Sequence, residues 1–173
     1  MSRNNVTALL HSVKDGDKGA FERLYTSTRR GVYAFLYSYL HNSHDSEDAM
    51  HAVYIRVKEN IHTFQNGTNG RAWLLQIAKN YALNVIKKQS RTVPLDDYFD
   101  TASTKDDFSE GSITYAMQKV LSEEEQRIIT LHVLWGYKHR ELSKILDMPT
   151  GTITSKYKRA IDKLKKELKE EGV

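Results

Sequence analysis

Apolar residues recur along this chain at three- and four-residue steps, broken by a few polar interruptions, and steps of that size predict helices with one buried face. From Asp17 to Leu40 the set Phe21, Leu24, Tyr25, Val32, Phe35, Leu36, Tyr39 and Leu40 marks a core-facing stripe. After the break His41-Asn42-Ser43-His44-Asp45 the pattern resumes with Ala49, Met50, Val53, Tyr54, Val57 and Ile61. Asp45, Glu47 and Asp48 stand in its opening turn, where the positive end of the helix dipole favours carboxylates. Thr63 to Arg71 collects Asn and Gly, residues that tolerate left-handed backbone and compete for helical hydrogen bonds, so a loop is expected there. Trp73, Leu74, Ile77, Ala78, Tyr81, Ala82 and Val85 then give the most regular stripe in the chain. By that spacing Trp73 belongs to the core rather than to a base-stacking site.

The regularity lapses after Arg91. Residues 92–112 carry six acids against one lysine, with a proline and several Ser and Thr, a composition that buries little and predicts a flexible acidic linker. Helical spacing returns at Ile113, and Ser122 and Glu125 have the spacing of a capping box ahead of Ile128, Ile129, Leu131 and Leu134. Two more stripes flank Asp147-Met148-Pro149-Thr150-Gly151: Leu142, Ile145 and Leu146 before it, and Ile153, Tyr157, Ala160, Ile161, Leu164 and Leu168 after it. Proline disfavours helix at the preceding residue and can open a new one, and Thr150 offers a capping hydroxyl, so the break is specified locally. The predicted fold is all-α, with one small helical domain over residues 1–91, a linker over 92–112 and a second helical domain over 113–173.

Composition narrows the picture further. A chain of 173 residues suits one ordinary domain or two small ones, and only two prolines and nine glycines favour long helices over a turn-rich β fold. The absence of cysteine excludes disulfides and thiolate zinc sites. No run approaches the roughly 20 apolar residues that cross a bilayer, and the opening residues lack the apolar stretch of a signal peptide, so a soluble, cytoplasmic protein without membrane insertion is expected. The net charge of +4 is modest, but its distribution is informative. Arg71, Lys79, Lys87, Lys88 and Arg91 fall in a stretch with no acidic residue. The solvent side of the last stripe presents Thr152, Thr154, Ser155, Lys156, Lys158, Arg159 and Lys163. Lysine and arginine neutralise phosphates, hydroxyls reach phosphate oxygens or base edges, and one helix fits the major groove, so the pair of helices around Pro149 predicts helix-turn-helix DNA binding. A metal enzyme fits poorly: His41, His44 and His51 lie near the three acids, but no HExxH occurs, and His44 and His51 stand about two helical turns apart. No cofactor and no metal are expected. A stand-alone DNA-binding regulator is the alternative reading.

Residues 139–168, HRELSKILDMPTGTITSKYKRAIDKLKKEL, resemble the fourth conserved region of the extracytoplasmic-function sigma factors of bacterial RNA polymerase, on the letters Glu141, Leu142, Ser143, Leu146, Gly151, Thr152, Ile153, Ser155, Lys156, Arg159 and Ala160. HDSEDAMHAVYIRV (44–57) resembles the Asp-Ala-Glu-Asp segment of that family's second region, and RAWLLQIAKNYALNVIKKQSR (71–91) its Trp-Leu-x-x-Ile-Ala-x-Asn helix. Some letters depart from the family: His51 and Ala52 replace a usual Gln-Glu, Asn84 an Asp, Lys87 and Lys156 an Arg, and Pro149 a Ser.

The resemblance implies a non-enzymatic alternative sigma factor whose partners are core RNA polymerase and promoter DNA, both duplex and melted non-template strand. Contacts to polymerase would run through the β′ clamp coiled coil and the β flap, with an anti-sigma factor as a further partner. It places Asp45, Glu47 and Asp48 at the polymerase clamp. Phe64, Asn66, Asn69, Arg71, Gln76, Lys79, Asn80, Asn84, Lys87 and Lys88 fall at the minus-ten element. Thr150, Thr152, Thr154, Ser155, Lys156, Lys158, Arg159 and Lys163 fall at the minus-thirty-five element.

Overall fold

The computed structural model describes residues 3–90 and 113–170; the expected acidic linker, with Arg91, lies outside them. Every regular element among the described residues is helical, and the chain divides into two compact units, Met1–Thr101 and Ala102–Val173.

The first unit is built from α1 (Arg3–Lys14), α2 (Ala20–Leu40), α3 (Ser43–Asn60) and α4 (Gly70–Gln89). α2 lies at its centre, packed against the other three, and is buried almost continuously from Gly31 to Leu36. A helix so placed needs apolar side chains on several faces, which is why its stripe is broader than that of a surface helix. Two of its buried hydroxyls are bonded: Ser38 donates to the Phe35 carbonyl, and Thr28 pairs with α3. The Thr28 hydroxyl donates to the Leu24 carbonyl at 2.6 Å, so the buried Tyr54 hydroxyl, 2.6 Å from the Thr28 oxygen, donates to it. His41, at φ 53°, closes α2 in the left-handed region and donates its N–H to the Tyr37 carbonyl. Asn42 then accepts from the Asp45 N–H and opens α3.

Two differences from the sequence reading stand out here. The predicted first helix begins at Ala20 rather than Asp17; the Asp17 carboxylate lies ahead of it and accepts from the Gly19 N–H and from Arg23. α1 was not anticipated at all, yet it buries Val6 and Leu10 completely.

The second unit comprises α5 (Ile113–Val120), α6 (Glu123–Ile129), a π-helical turn (Thr130–Leu134), α7 (His139–Ile145) and α8 (Thr150–Glu170). The Ser122–Glu125 capping box forms as expected: the Ser122 hydroxyl accepts from the Glu125 N–H, and the Glu125 carboxylate accepts from the Ser122 N–H. The π turn interrupts the helical register after Ile129, which buries Leu131 and Trp135 completely while leaving Val133 half exposed. Gly136, at φ 66°, ends the turn and leads to α7. Between α7 and α8, Asp147 takes a left-handed φ of 53°, and Ser143 donates from its hydroxyl to the Met148 carbonyl while its own carbonyl accepts from the Met148 N–H. Thr150 stands inside the first turn of α8 rather than ahead of it, so the expected hydroxyl cap is replaced by the Pro149 carbonyl accepting from the Ile153 N–H. Leu142 and Ile153 are fully buried as expected, whereas Ile145 is exposed.

Candidate nucleic-acid interface

In the first unit the loop between α3 and α4 starts with a 3-10 turn, Ile61–Thr63. Gln65, Asn66 and Gly67 form its exposed tip, with Gly67 at φ 81° and Thr68 donating its N–H to the Gln65 carbonyl. Asn69 accepts from the N–H groups of Arg71 and Ala72, capping α4. Two of the residues expected at the minus-ten element are buried. Phe64 is fully buried, with its ring against His11 (centroids 4.9 Å apart) and Trp73 (5.3 Å), and Arg71 is fully buried as well. α1 covers the Phe64 side of the loop through His11 and Lys14.

Along α4, Gln76, Asn80, Asn84, Lys87 and Lys88 are exposed and Lys79 is half-buried. Gln76 donates its side-chain amide to the Asn80 carbonyl oxygen at 2.8 Å, which aligns two polar side chains one turn apart. Leu83 and Ile86 are exposed on the same helix, so that face mixes amides, cations and aliphatic surface.

The acidic opening of α3 is unevenly available. Asp45 accepts from the Gln89 side chain at the far end of α4, Glu47 is half-buried near Tyr33, and Asp48 is exposed, 3.5 Å from His44.

In the second unit α8 presents Thr150, Gly151, Thr154, Ser155, Lys158 and Arg159 to solvent. Thr152 and Lys156 are half-buried. The Thr154 hydroxyl donates to the Thr150 carbonyl, so the His139 ring, 3.1 Å away, donates to it from Nδ1. The Ser155 hydroxyl donates to the Gly151 carbonyl, leaving its oxygen as an acceptor only. Lys156 pairs with Glu124 at 2.5 Å and Lys163 with Glu125 at 2.7 Å. Of the four cations expected to meet DNA, two are therefore tied to α6, and Lys158 and Arg159 form the outward pair.

Among the described residues of this unit, two groups are shifted from their ordinary values. Burial pushes the Glu125 carboxyl up, but hydrogen bonds from Lys163 and Ser122 and the lysine charge outweigh it, and the net shift is downward. Burial and the neighbouring His132 push His139 below its ordinary value. The His139, His132 and Tyr157 rings pack together with centroids 4.7 to 5.0 Å apart.

What the sequence reading missed is α1. Val6, Leu10 and Val13 carry helical spacing that would have revealed it, and it supplies Thr7, His11 and Lys14 to the loop that precedes α4.

Comparison with known proteins assigns both units. The family model for sigma-70 region 2 matches residues 24–92, and that for sigma-70 region 4 matches residues 114–164. The chain is 28% identical over 172 residues to the ECF RNA polymerase sigma-E factor of Haemophilus influenzae, covering 88% of this chain and 89% of that protein. It is 25% identical over 162 residues to the ECF RNA polymerase sigma factor SigX of Bacillus subtilis, covering 86% and 83%. Its fold is similar to that of the sigma factor RpoE, solved with the anti-sigma factor NepR from Bartonella quintana, with a TM-score of 0.59 at 21% identity over 87% of this chain and 98% of that one. It is similar also to CnrH, solved with the cytosolic domain of CnrY, with a TM-score of 0.56 at 16% identity over 96% and 98%. Two helical units, in this order and matching these two regions, make the chain a member of the extracytoplasmic-function sigma factors of the sigma-70 family.

Proposed function

We propose that the chain acts as an alternative sigma factor, binding core RNA polymerase and directing it to promoters that carry paired minus-ten and minus-thirty-five elements. The observation that carries this reading is that each unit offers one polar helix face free of its own core: α4 in the unit matching region 2, and the start of α8 in the unit matching region 4. The domain division at residues 91 and 113 belongs to the same proposal.

Roles follow from what each face exposes. Asp48, with Asp45 and Glu47 beside it, supplies negative charge for a basic surface on core polymerase. Asn66 and the capping Asn69 at the loop, with Gln76, Asn80 and Asn84 on α4, offer donors and acceptors to unpaired bases, while Lys79, Lys87 and Lys88 follow the phosphate track. Lys158 and Arg159 neutralise phosphates of the upstream duplex, and Thr150, Thr152, Thr154 and Ser155 supply oxygens near the N-terminus of α8, whose exposed amides and dipole suit an anion. Lys156 and Lys163 assist as the helix docks. The partners are core polymerase and promoter DNA, with an anti-sigma protein as a third, and the proposed role is regulatory binding with no catalytic step. Among the described residues no helix is long and apolar enough to cross a membrane.

Run-off transcription on a genomic template library, with core polymerase and with or without the protein, tests the reading. The expected result is initiation at a defined subset of start sites only when the protein is present. Lys158→Ala with Arg159→Ala is expected to lower affinity for upstream duplex and to reduce the salt slope of binding by about two. A protein that binds specific duplex tightly alone and adds no initiation would be a stand-alone regulator, and the proposal would fall.

A further inference from the structure

Three residues on one stripe of α1 reach the loop that leads into α4, and they reach it at both ends. Thr7, His11 and Lys14 are spaced four and three residues apart, so they line one face over about 10 Å of helix. At the start of the loop the Lys14 ammonium donates to the Phe64 carbonyl at 2.6 Å, and the His11 ring packs on the Phe64 ring. At its end the Thr7 hydroxyl accepts from the Gly70 N–H at 3.0 Å. The approach at that end is close: a Cβ on Gly70 would lie 2.8 Å from the Thr7 Cα and 2.9 Å from its N.

These contacts are not general packing. Phe64 O and Gly70 N are the backbone groups that flank the segment Gln65 to Asn69, and each is satisfied by a side chain more than 40 residues away in sequence. Within the tip itself the Thr68 N–H to Gln65 carbonyl bond closes a turn, and Gly67 supplies the left-handed residue it needs. A short loop clamped at its two ends has few conformations left, and a pre-ordered site loses less entropy on binding.

We propose that Thr7, His11 and Lys14 are positioning residues: they hold the Gln65–Asn69 tip in the one conformation that receives an unpaired base, without touching the base themselves. The proposal rests on the reading of this loop as part of the minus-ten site. It also accounts for the burial of Phe64, which serves as the peg on which the loop is hung rather than as a contact to DNA.

Full-length protein bound to core polymerase provides the test, with Thr7→Val and Lys14→Met as variants and Thr7→Ser and Lys14→Arg as their conservative counterparts. Hydrogen exchange of the amides at residues 64–70 and binding of a single-stranded oligonucleotide bearing the non-template minus-ten sequence of a promoter used by the wild type are the two readouts. Roughly three- to tenfold faster exchange is expected in Thr7→Val and Lys14→Met, the worth of one hydrogen bond, with oligonucleotide affinity falling by a similar factor. Affinity for core polymerase stays unchanged, and Thr7→Ser and Lys14→Arg return to wild-type behaviour. Thr7→Val changes no charge, so its loss must be the same at low and high salt. Unchanged exchange in both variants overturns the brace while leaving the loop's role intact. Faster exchange with full oligonucleotide affinity overturns the claim that the tip's conformation matters, and a parallel loss of polymerase binding reduces the contacts to ordinary stability. Wild-type protein that initiates transcription yet shows no preference for its own single-stranded element would remove the loop reading, and this proposal with it.

Discussion

The two helices proposed to meet DNA begin with glycines in opposite settings. α4 opens on Gly70, sealed against the backbone of α1, and α8 has Gly151 as its second residue, with nothing within 4 Å of where a Cβ would stand. The units around them are held differently as well. In the first, the loop ahead of α4 is fixed by backbone groups accepting from or donating to single side chains. In the second, α8 is tied down by ion pairs along one stripe: Lys156 to Glu124, Lys163 to Glu125 and Glu167 to Lys119. Hydrogen-bonded closure is insensitive to ionic strength, whereas ion pairs with one partner at the surface are partly screened by salt. The first unit is thus built to hold a shape, and the second to hold a helix that turns Lys158 and Arg159 outward.

The largest effect expected from this contrast is at Gly70. Gly70→Ala forces α1 away from α4 and should destabilise the first unit by about 1–3 kcal/mol, the usual range for overpacking against backbone. The two tryptophans separate the units, Trp73 reporting the first and Trp135 the second. Urea unfolding followed by Trp73 fluorescence in a Trp135→Phe background should show the loss, and Trp135 fluorescence in a Trp73→Phe background should show none. Equal stability of the variant by Trp73 would mean that the close approach is not tight in solution.

The second effect is ionic and depends on pH. Glu125→Gln keeps the shape of the capping box but removes the charge that faces Lys163, with an expected loss of about 1–2 kcal/mol near neutrality. The folded state holds Glu125 below its ordinary value of 4.5, so this contribution is present above that pH and is lost as pH falls through the folded value. His139 behaves alike in a higher window. Its folded value lies below 6.5, so the unfolded chain takes up a proton first, and stability begins to fall once pH drops below about that ordinary value. The groups facing His139 are His132, Tyr157 and Thr154, and a second imidazolium beside the first would add repulsion. His139→Gln should flatten the Trp135-monitored stability between pH 7 and 5 by its own share while leaving the acid limb below about pH 4.5 in place. A variant with the same slope as wild type in the upper window would assign that slope elsewhere.

Much of the fold was legible because the signals were local. The stripes of α2, α3, α4 and α8, the Ser122–Glu125 capping box and the Pro149 break each needed only neighbours in sequence, and each formed. α1 escaped because its stripe is short, spanning Val6 to Val13, and its first turn has no acidic residue to mark a start. The π turn escaped because one inserted residue leaves an apolar run looking helical while shifting which side is buried, as Val133 and Trp135 show. At the candidate interface the surroundings of four residues were not legible, for one reason. Phe64 and Arg71 sit in a polar, Gly-rich stretch that looks exposed, yet both are buried, Phe64 against His11 and Trp73. Lys156 and Lys163 look available until Glu124 and Glu125, on another helix, are placed beside them. Burial and ion pairing by distant residues are tertiary facts, and no periodicity records them.

The smallest effect is the sharpest test of the contrast between the glycines. Glycine inside a helix costs about 0.5–1 kcal/mol relative to alanine through backbone entropy, and Gly151 lies on a normal helical backbone with open space around it. Nothing among the described residues requires it, so Gly151→Ala should raise the stability of the second unit by about 0.5–1 kcal/mol. The first turn of α8 also leaves backbone amides without intrahelical partners, and these are the groups expected to approach a phosphate of the upstream element. A methyl group there stands between backbone and phosphate, so duplex affinity should fall while stability rises. Opposite signs in Trp135-monitored unfolding and in duplex binding are the prediction. If affinity instead holds or improves alongside stability, the open space around Gly151 is not where DNA comes to rest, and the docking face must be moved along α8 toward Lys158 and Arg159.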